Sequence, residues 1–314
     1  MLKAQLTWRG FVSLFDGVLA AAVTPRRMNS YEANLGAFLE VVDFLCGFPL
    51  DGVVVLGTTG DMLHFDVPER VKILEFAKKR STLPLVAGVT HSTLDGTVEL
   101  AQHAVEIGCA GLLVMPPYYF RYQQAEIDMF YRELARRVGV STPILLYNIP
   151  FFTSAVETET IVRLVEEGVI AGVKDTSGDL GRLRALMELQ ERKPYHLFCG
   201  DDRLLFDSMQ RAGVGAISGI ASAVPELVVG VSKAVREAKD EQARRLDAML
   251  QAFCDWYDEF PNAIAVREAI SHRTRIAVPA ATPLSFERQQ RLEEFRAWLA
   301  GWLPEMQQAC KEVG

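Results

Sequence analysis

From Gly17 onward, short apolar or β-branched runs alternate with longer amphipathic stretches, the rhythm of parallel β/α units. Eight runs read as strands: Gly17–Val23, Gly52–Leu56, Leu85–Val89, Gly111–Met115, Ile144–Tyr147, Ile170–Val173, His196–Cys199 and Val214–Ser218. Between them fall helix-like segments such as Tyr31–Cys46, Pro68–Lys79, Thr93–Ile107, Glu126–Val138 and Asp179–Gln190. Eight repeats predict closure into a (β/α)8 TIM barrel, an α/β fold. An open doubly wound sheet is the competitor, but Thr24-Pro25-Arg26 follows the first strand where a G-x-G-x-x-G phosphate loop would stand. After the eighth strand the β signals stop, and helices at Pro225–Ala238, Glu241–Glu259, Ala263–His272 and Ser285–Glu312 predict a C-terminal helical extension. The expected organisation is an N-terminal extension over 1–16, the barrel over 17–238, and helices over 239–314 packed on the barrel without a linker.

Composition narrows the function classes. Of 314 residues, 49% are hydrophobic and 23% charged, which suits a well-packed soluble protein. A net charge of −7 and a pI near 5.4 argue against a phosphate-neutralising surface, so nucleic acid is not an expected partner. The five cysteines (Cys46, Cys109, Cys199, Cys254, Cys310) are odd in number, scattered and without C-x-x-C spacing, which fits a reducing cytoplasm. Arg9 followed by the apolar run Phe11–Val23 superficially resembles a secretory signal, but Asp16 interrupts the run and Thr24-Pro25 ends it; Gly17–Val23 reads instead as a buried strand. No run reaches the roughly 20 apolar residues that a membrane span requires. His64, His91, His103, His196 and His272 are too dispersed for a three-ligand metal site, so neither metal nor cofactor is expected.

In such barrels the chemistry sits at the C-terminal strand ends, where loops vary without disturbing the core. Strand six runs Ile170-Ala171-Gly172-Val173-Lys174, and alternation places Lys174 on the inner face with Gly172. An amine attacks a carbonyl only when neutral, and an ordinary lysine, pKa about 10.4, is under about 1% neutral at pH 7, so a Schiff-base lysine needs a desolvating site. A barrel mouth supplies one. Tyr147 ends the preceding strand at a matching height and face, where a phenol can relay protons or pack as an aromatic. Strand two leads into Gly57-Thr58-Thr59-Gly60-Asp61, either an ordinary turn or one whose N–H groups and hydroxyls receive a carboxylate. Alternation points Asp175 away from Lys174 into a structural role, Asp179 reads as a helix N-cap, and His91 as a loop histidine.

G-T-T-G-D at 57–61, Y-N-I-P at 147–150 and G-V-K-D-T-S-G-D at 172–179 resemble the dihydrodipicolinate synthase and N-acetylneuraminate lyase family of pyruvate-dependent aldolases. The similarity extends from about Gly17 through Pro261-Asn262 into the C-terminal helices. The resemblance implies that Lys174 is the Schiff-base lysine and Tyr147 the proton-shuttling phenol, linked by Thr58 to a second tyrosine. In Met115-Pro116-Pro117-Tyr118-Tyr119 the matching residue is Tyr119, which in this family usually completes the relay of a neighbouring subunit; a local aromatic pair is the alternative. A homodimer or homotetramer is therefore expected. Thr58 and Thr59 match the pyruvate carboxylate site, and the Ile217 carbonyl matches a position lining the pyruvate pocket.

Departures from the family pattern bear on the substrate. Phe152 stands where the synthase branch carries an arginine for the aldehyde's carboxylate, and a phenyl ring cannot replace a bidentate guanidinium. Aspartate semialdehyde is therefore a poor expectation unless another arginine, such as Arg121, compensates. Gly96 stands where the lysine-regulated branch has glutamate, which argues against lysine feedback. Cys199-Gly200-Asp201-Asp202 looks like the synthase branch, and Asp61 replaces the usual glutamate. Phe151 and Phe152 either wall an apolar aldehyde site or belong to the core, the core being preferred. The expected activity is a class I lyase or aldolase joining or cleaving a 2-keto acid and an aldehyde. A 2-keto-3-deoxy sugar acid dehydratase using the same imine, and a non-catalytic 2-keto acid binding protein, are the alternatives.

Overall fold

A computed structural model describes residues 17–312 apart from 29, 31, 140, 141, 212, 262, 280 and 281. The expected extension over 1–16 and the Tyr31 start of the first helix lie outside the described residues. Eight strands, β1 (Val18–Ala21), β2 (Gly52–Val55), β3 (Leu85–Gly88), β4 (Gly111–Val114), β5 (Ile144–Asn148), β6 (Gly172–Asp175), β7 (His196–Cys199) and β8 (Val214–Ser218), pair in parallel, and β8 closes on β1. Every strand residue is buried, because one face meets the barrel interior and the other the surrounding helices; hence the unbroken apolar runs in the sequence. In β6 the apolar run stops at Val173, but the ladder continues through Lys174 and Asp175, which register with Tyr147 and Asn148 of β5. The strand ends two residues later than its hydrophobicity suggests.

The barrel helices are α1 (Leu35–Cys46), α2 (Val67–Arg80), α3 (Leu94–Glu106), α4 (Gln124–Val138), α5 (Thr158–Glu166), α6 (Leu180–Arg192), α7 (Leu205–Met209) and α8 (Pro225–Arg236). Side-chain N-caps fix the starts of four of them: Asn34 accepts from Ala37 N, Asp66 from Glu69 N, Thr93 from Gly96 N and Asp179 from Arg182 N. Each such cap contributes about 1 kcal/mol. The short α5 and α7 were not among the helices the pattern named; four residues of α5 and three of α7 are buried, too few for a visible period.

Beyond the barrel come α9 (Asp240–Asp258), α10 (Ile264–Thr274) and α11 (Phe286–Lys311). They pack on the barrel without a linker. On α10, Arg273 forms a two-pronged pair with Glu226 of α8 at 2.8 and 2.9 Å and donates to the Ala223 carbonyl at 2.6 Å. Phe253 of α9 meets Phe295 and Trp302 of α11 with ring centroids 5.9 and 5.7 Å apart, giving the extension an aromatic core continuous with that of the barrel. No helix among the described residues is long and apolar enough to cross a membrane.

Candidate active site

The register of β5 and β6 sets Tyr147 beside Lys174 and Asn148 beside Asp175. Alternation then sends the first pair inward and the second outward. The Lys174 Nζ lies 4.3 Å from the centre of the Tyr147 ring, and the two residues are only 6% and 4% exposed. On the outer face, Asn148 Nδ2 donates to Asp175 Oδ2 at 2.8 Å, and Asp175 also accepts from Arg182 Nε at 2.8 Å and from Ser177 N at 3.0 Å. Asp175 is thus a structural tie that clamps β5, β6 and α6 behind the lysine. Gly200, after β7, makes room in front: a Cβ there would lie 2.5 Å from Lys174 Cε and 2.0 Å from Thr176 Oγ1.

The turn after β2 has a directional backbone. Gly60 N donates to the Gly57 carbonyl and Asp61 N to the Thr58 carbonyl, both at 3.1 Å. In a trans peptide C=O and N–H point in opposite directions, so drawing the oxygens of residues 57 and 58 into the turn sends the N–H groups of Thr58 and Thr59 outward. Among the described residues neither N–H has a hydrogen-bond partner. Two neighbouring outward N–H groups can receive a carboxylate. The Thr58 hydroxyl meets the Tyr147 hydroxyl at 3.5 Å, which joins this turn to the tyrosine–lysine pair. Behind the turn lies a buried ion pair: Arg267 of α10 reaches Asp61 Oδ2 at 2.6 Å and donates to the Thr59 carbonyl at 3.2 Å. Burial pushes the Asp61 carboxyl up, opposed by Arg267, His64 and Arg26. Ile217 is fully buried opposite Leu19 of β1, so its side chain is core and only its backbone is available to a ligand.

A second set of polar groups faces the lysine from β6, β7 and β8. Thr176, two residues past Lys174 on the same face, has a buried hydroxyl with no partner among the described residues. Burial pushes the Asp202 carboxyl up to about 6, against the Ser218 hydroxyl, the Ile220 N–H and the charge of Lys174. Ser218 Oγ accepts from Ala221 N at 2.9 Å, which leaves its proton for Asp202. From α9, Tyr257 comes close enough to Tyr147 and Asp202 that their charges add to the burial that raises its phenol. Among the described residues no group of three or more His, Cys, Asp or Glu is placed to hold a metal ion.

The loops after β4 and β5 carry the remaining expected residues. Tyr118 bridges to Thr153, Arg121 Nη1 donates to the Thr153 carbonyl at 3.2 Å, and Tyr122 N to Ser154 Oγ at 2.8 Å, so the loops are bolted together. Tyr119 sits at φ +85° and is 88% exposed, edge-on to Phe120; it reaches neither Thr58 nor Tyr147 of its own chain among the described contacts. A cleft of about 810 Å³ opens beside it, lined by Tyr118, Phe120, Tyr122, Met129 and Phe130, and none of Lys174, Tyr147 and Thr58 lines that cleft. The preferred core reading of Phe151 and Phe152 is wrong. Bonds from Phe152 N and Thr153 N to the Ile149 carbonyl form a helical turn that faces both rings outward, 72% and 62% exposed. His91 is a loop histidine whose Nδ1 meets Thr93 Oγ1 at 2.9 Å, and its ring fills the space a side chain at Gly96 would need.

Residues 14–300 match the model of the dihydrodipicolinate synthetase family. The chain belongs to that family. It is a lyase of the family's aldolase type. It is 35% identical over 220 residues to a probable 2-dehydro-3-deoxy-D-pentonate aldolase of Escherichia coli (strain K12), covering 68% of this chain and 72% of that one. It is 31% identical over 234 residues to a 4-hydroxy-tetrahydrodipicolinate synthase of Methanococcoides burtonii, covering 74% and 79%. Among solved structures, a prophage protein of this family from E. coli K12, in complex with pyruvate, superimposes with a TM-score of 0.83 at 26% identity over 92% of this chain and 99% of that one. Dihydrodipicolinate synthase from Aquifex aeolicus gives 0.82 at 26% identity over 92% and 98%.

Within this family member, the sequence reading placed Lys174, Tyr147 and Thr58 together and the structure does the same; Tyr119 stands apart in the single chain. Thr176, Gly200, Asp202, Ser218, Tyr257 and Arg267 were not singled out. Alternation from Lys174 was signal enough for Thr176, whereas Tyr257 and Arg267 come from helices far along the chain and leave no local trace. The Asp202 carboxyl gives a sign that can be checked. With an ordinary value of 3.8 when unfolded and about 6 when folded, the native chain holds a proton that the unfolded chain has released between those pH values. Stability from this group is therefore complete below 3.8, falls as pH rises to about 6, and stays reduced above. Asp202→Asn should flatten the fall in Tm across that window; an unchanged slope would show that Asp202 ionises as freely folded as unfolded.

Proposed function

We propose that this lyase cleaves or forms the bond between a pyruvate unit and an uncharged hydroxyaldehyde through an imine on Lys174, acting on a 2-keto-3-deoxy sugar acid. The observation that carries this reading is the buried Lys174 amine against the Tyr147 ring, with Thr58 at hydrogen-bond reach of the phenol. The substrate carboxylate is received by the N–H groups of Thr58 and Thr59, which orients C2 toward Nζ. The neutral amine adds to C2, Tyr147 donates a proton to the carbinolamine oxygen, and water leaves as the imine forms. In cleavage, Tyr147 takes the proton of the C4 hydroxyl while the C3–C4 pair flows into the imine, releasing the aldehyde and leaving an enamine. Protonation at C3 and hydrolysis return pyruvate and free lysine. No metal or cofactor enters these steps.

Two features support an uncharged aldehyde. At the mouth Phe152 offers an exposed ring in place of a guanidinium, Arg121 is engaged on the Thr153 carbonyl at 3.2 Å, and Arg203 is neutralised by Asp255 and Asp258 at 3.0 and 2.7 Å. The Thr176 hydroxyl and the Asp202–Ser218 pair supply the polar groups a hydroxylated chain needs. We further place Tyr119 in the relay of a second copy, in a homodimer or a dimer of dimers: its positive φ holds an exposed phenol away from its own barrel, beside an apolar cleft. The five free thiols fit a cytoplasmic setting.

Borohydride reduction in pyruvate should add one reduced pyruvate mass to Lys174, and Lys174→Arg should abolish the adduct; wild-type chain without adduct across several 2-keto acids and pH values would sink the mechanism. In a substrate panel, pyruvate release from 2-keto-3-deoxy sugar acids should exceed condensation with aspartate semialdehyde, and Phe152→Arg should shift the ratio toward the charged aldehyde by about tenfold or more. Faster condensation with aspartate semialdehyde by the wild type would refute the substrate assignment, and a dehydrated keto acid as sole product would make the enzyme a dehydratase. Sedimentation should show a dimer or larger species at assay concentration; a fully active monomer would remove Tyr119 from the site.

A further inference from the structure

We infer that Arg267, on α10 outside the barrel, is a positioning residue that sets the orientation of the carboxylate-receiving turn through Asp61. The inference rests on the 2-keto acid reading of that turn and goes beyond it by assigning a role to the C-terminal helices. The N–H directions of Thr58 and Thr59 are fixed by what the carbonyls of residues 57 and 58 accept, namely Gly60 N and Asp61 N. Those two donors keep their places only if the peptide between Thr59 and Gly60, and the backbone of Asp61, are held. Arg267 holds both: one guanidinium nitrogen lies 3.2 Å from the Thr59 carbonyl and 2.6 Å from the Asp61 carboxylate.

The surroundings make this hold strong and specific. Arg267 is 1% exposed and Asp61 is 5% exposed, so water neither screens the pair nor replaces it. Asp61 sits at φ +56°, a left-handed conformation that aspartate tolerates better than most residues, and this turns its short side chain back toward the helix. Both contacts are made by one terminal guanidinium nitrogen, and the shorter stem of a lysine would not carry its ammonium as far from α10. On the opposite side the turn has no slack. A Cβ on Gly88 would lie 2.1 Å from the Leu56 carbonyl oxygen, and one on Gly60 3.0 Å from the Ala22 carbonyl oxygen. The turn is pressed between β1, β3 and Arg267, and of these only Arg267 reaches it through a side chain from beyond the barrel.

The test uses pyruvate as the probe and borohydride-trapped adduct on Lys174 as the readout, comparing wild type, Arg267→Lys and the double variant Asp61→Asn/Arg267→Gln. The pyruvate concentration giving half-maximal trapping should rise by about tenfold or more in both, while trapping at saturation stays near the wild-type level. Adding Asp61→Glu to Arg267→Lys should recover part of the loss, since a longer acid meets a shorter base. A folded variant, melting close to wild type, that half-saturates at the wild-type concentration overturns the inference. If Arg267→Lys fails to fold, the double variant decides, because it leaves no unpaired buried charge; failure of the double variant to fold would make the pair a fold element and overturn the positioning role. A wild-type chain that traps no pyruvate at all would mark failure of the Schiff-base reading instead.

Discussion

Tyr147 and Lys174 are register partners on adjacent parallel strands, and the rest of the site is arranged around keeping that pairing dry and immobile. Two side chains projecting inward from neighbouring strands start about 5 Å apart, so their contact needs no loop to bring it about. What it needs is space and stiffness. Gly200 provides the space in front of the lysine stem, and Asn148, Asp175 and Arg182 provide the stiffness behind it. Because the clamp is on the outer face and the chemistry on the inner one, a single alternating tetrapeptide, Gly-Val-Lys-Asp, serves both.

The carboxylate turn follows a different logic. It is a loop, and its N–H directions depend on hydrogen bonds that water could take over if the turn loosened. A buried ion pair is an expensive way to prevent this. Desolvating both charges costs much of what their attraction returns, whereas losing one partner costs about 3–5 kcal/mol. Such a pair adds little net stability but penalises any movement that separates its members. This suits a turn that must not drift, and it explains why the shorter Asp61 is accommodated: the reach is supplied from α10.

The barrel was legible because its strands are buried on both faces and read as unbroken apolar runs, and because Lys174, Tyr147 and Thr58 stand at the ends of such runs. Legibility failed in two ways. Phe151 and Phe152 were taken for core because they are hydrophobic, but a helical turn on the Ile149 carbonyl faces both outward, and composition says nothing of which way a loop turns. Arg267, Tyr257 and Asp202 were given no role because their importance lies in what they meet elsewhere in the chain, from 16 residues away for Asp202 and Ser218 to 208 for Arg267 and Thr59.

This division has a consequence for how such an enzyme changes substrate. The imine chemistry proposed for Lys174 and Tyr147 would be carried on strand ends whose positions follow from barrel closure, so altering it means altering the ladder. On the proposed reading the aldehyde side falls to Phe151 and Phe152, on a loop joined to the one after β4 by a bridge and two hydrogen bonds, and their exposed rings touch little of the core. Exchanging an exposed ring for a guanidinium there leaves no cavity and strands no buried charge, so stability places little constraint on the choice. Half-buried Thr176 and Asp202, with the buried Ser218, lie between these extremes, and a change among them acts on packing as well as on the space before the lysine. The identity of the aldehyde is therefore most freely set at the rim and most stringently at this polar shelf, while the reaction type stays fixed by β5 and β6.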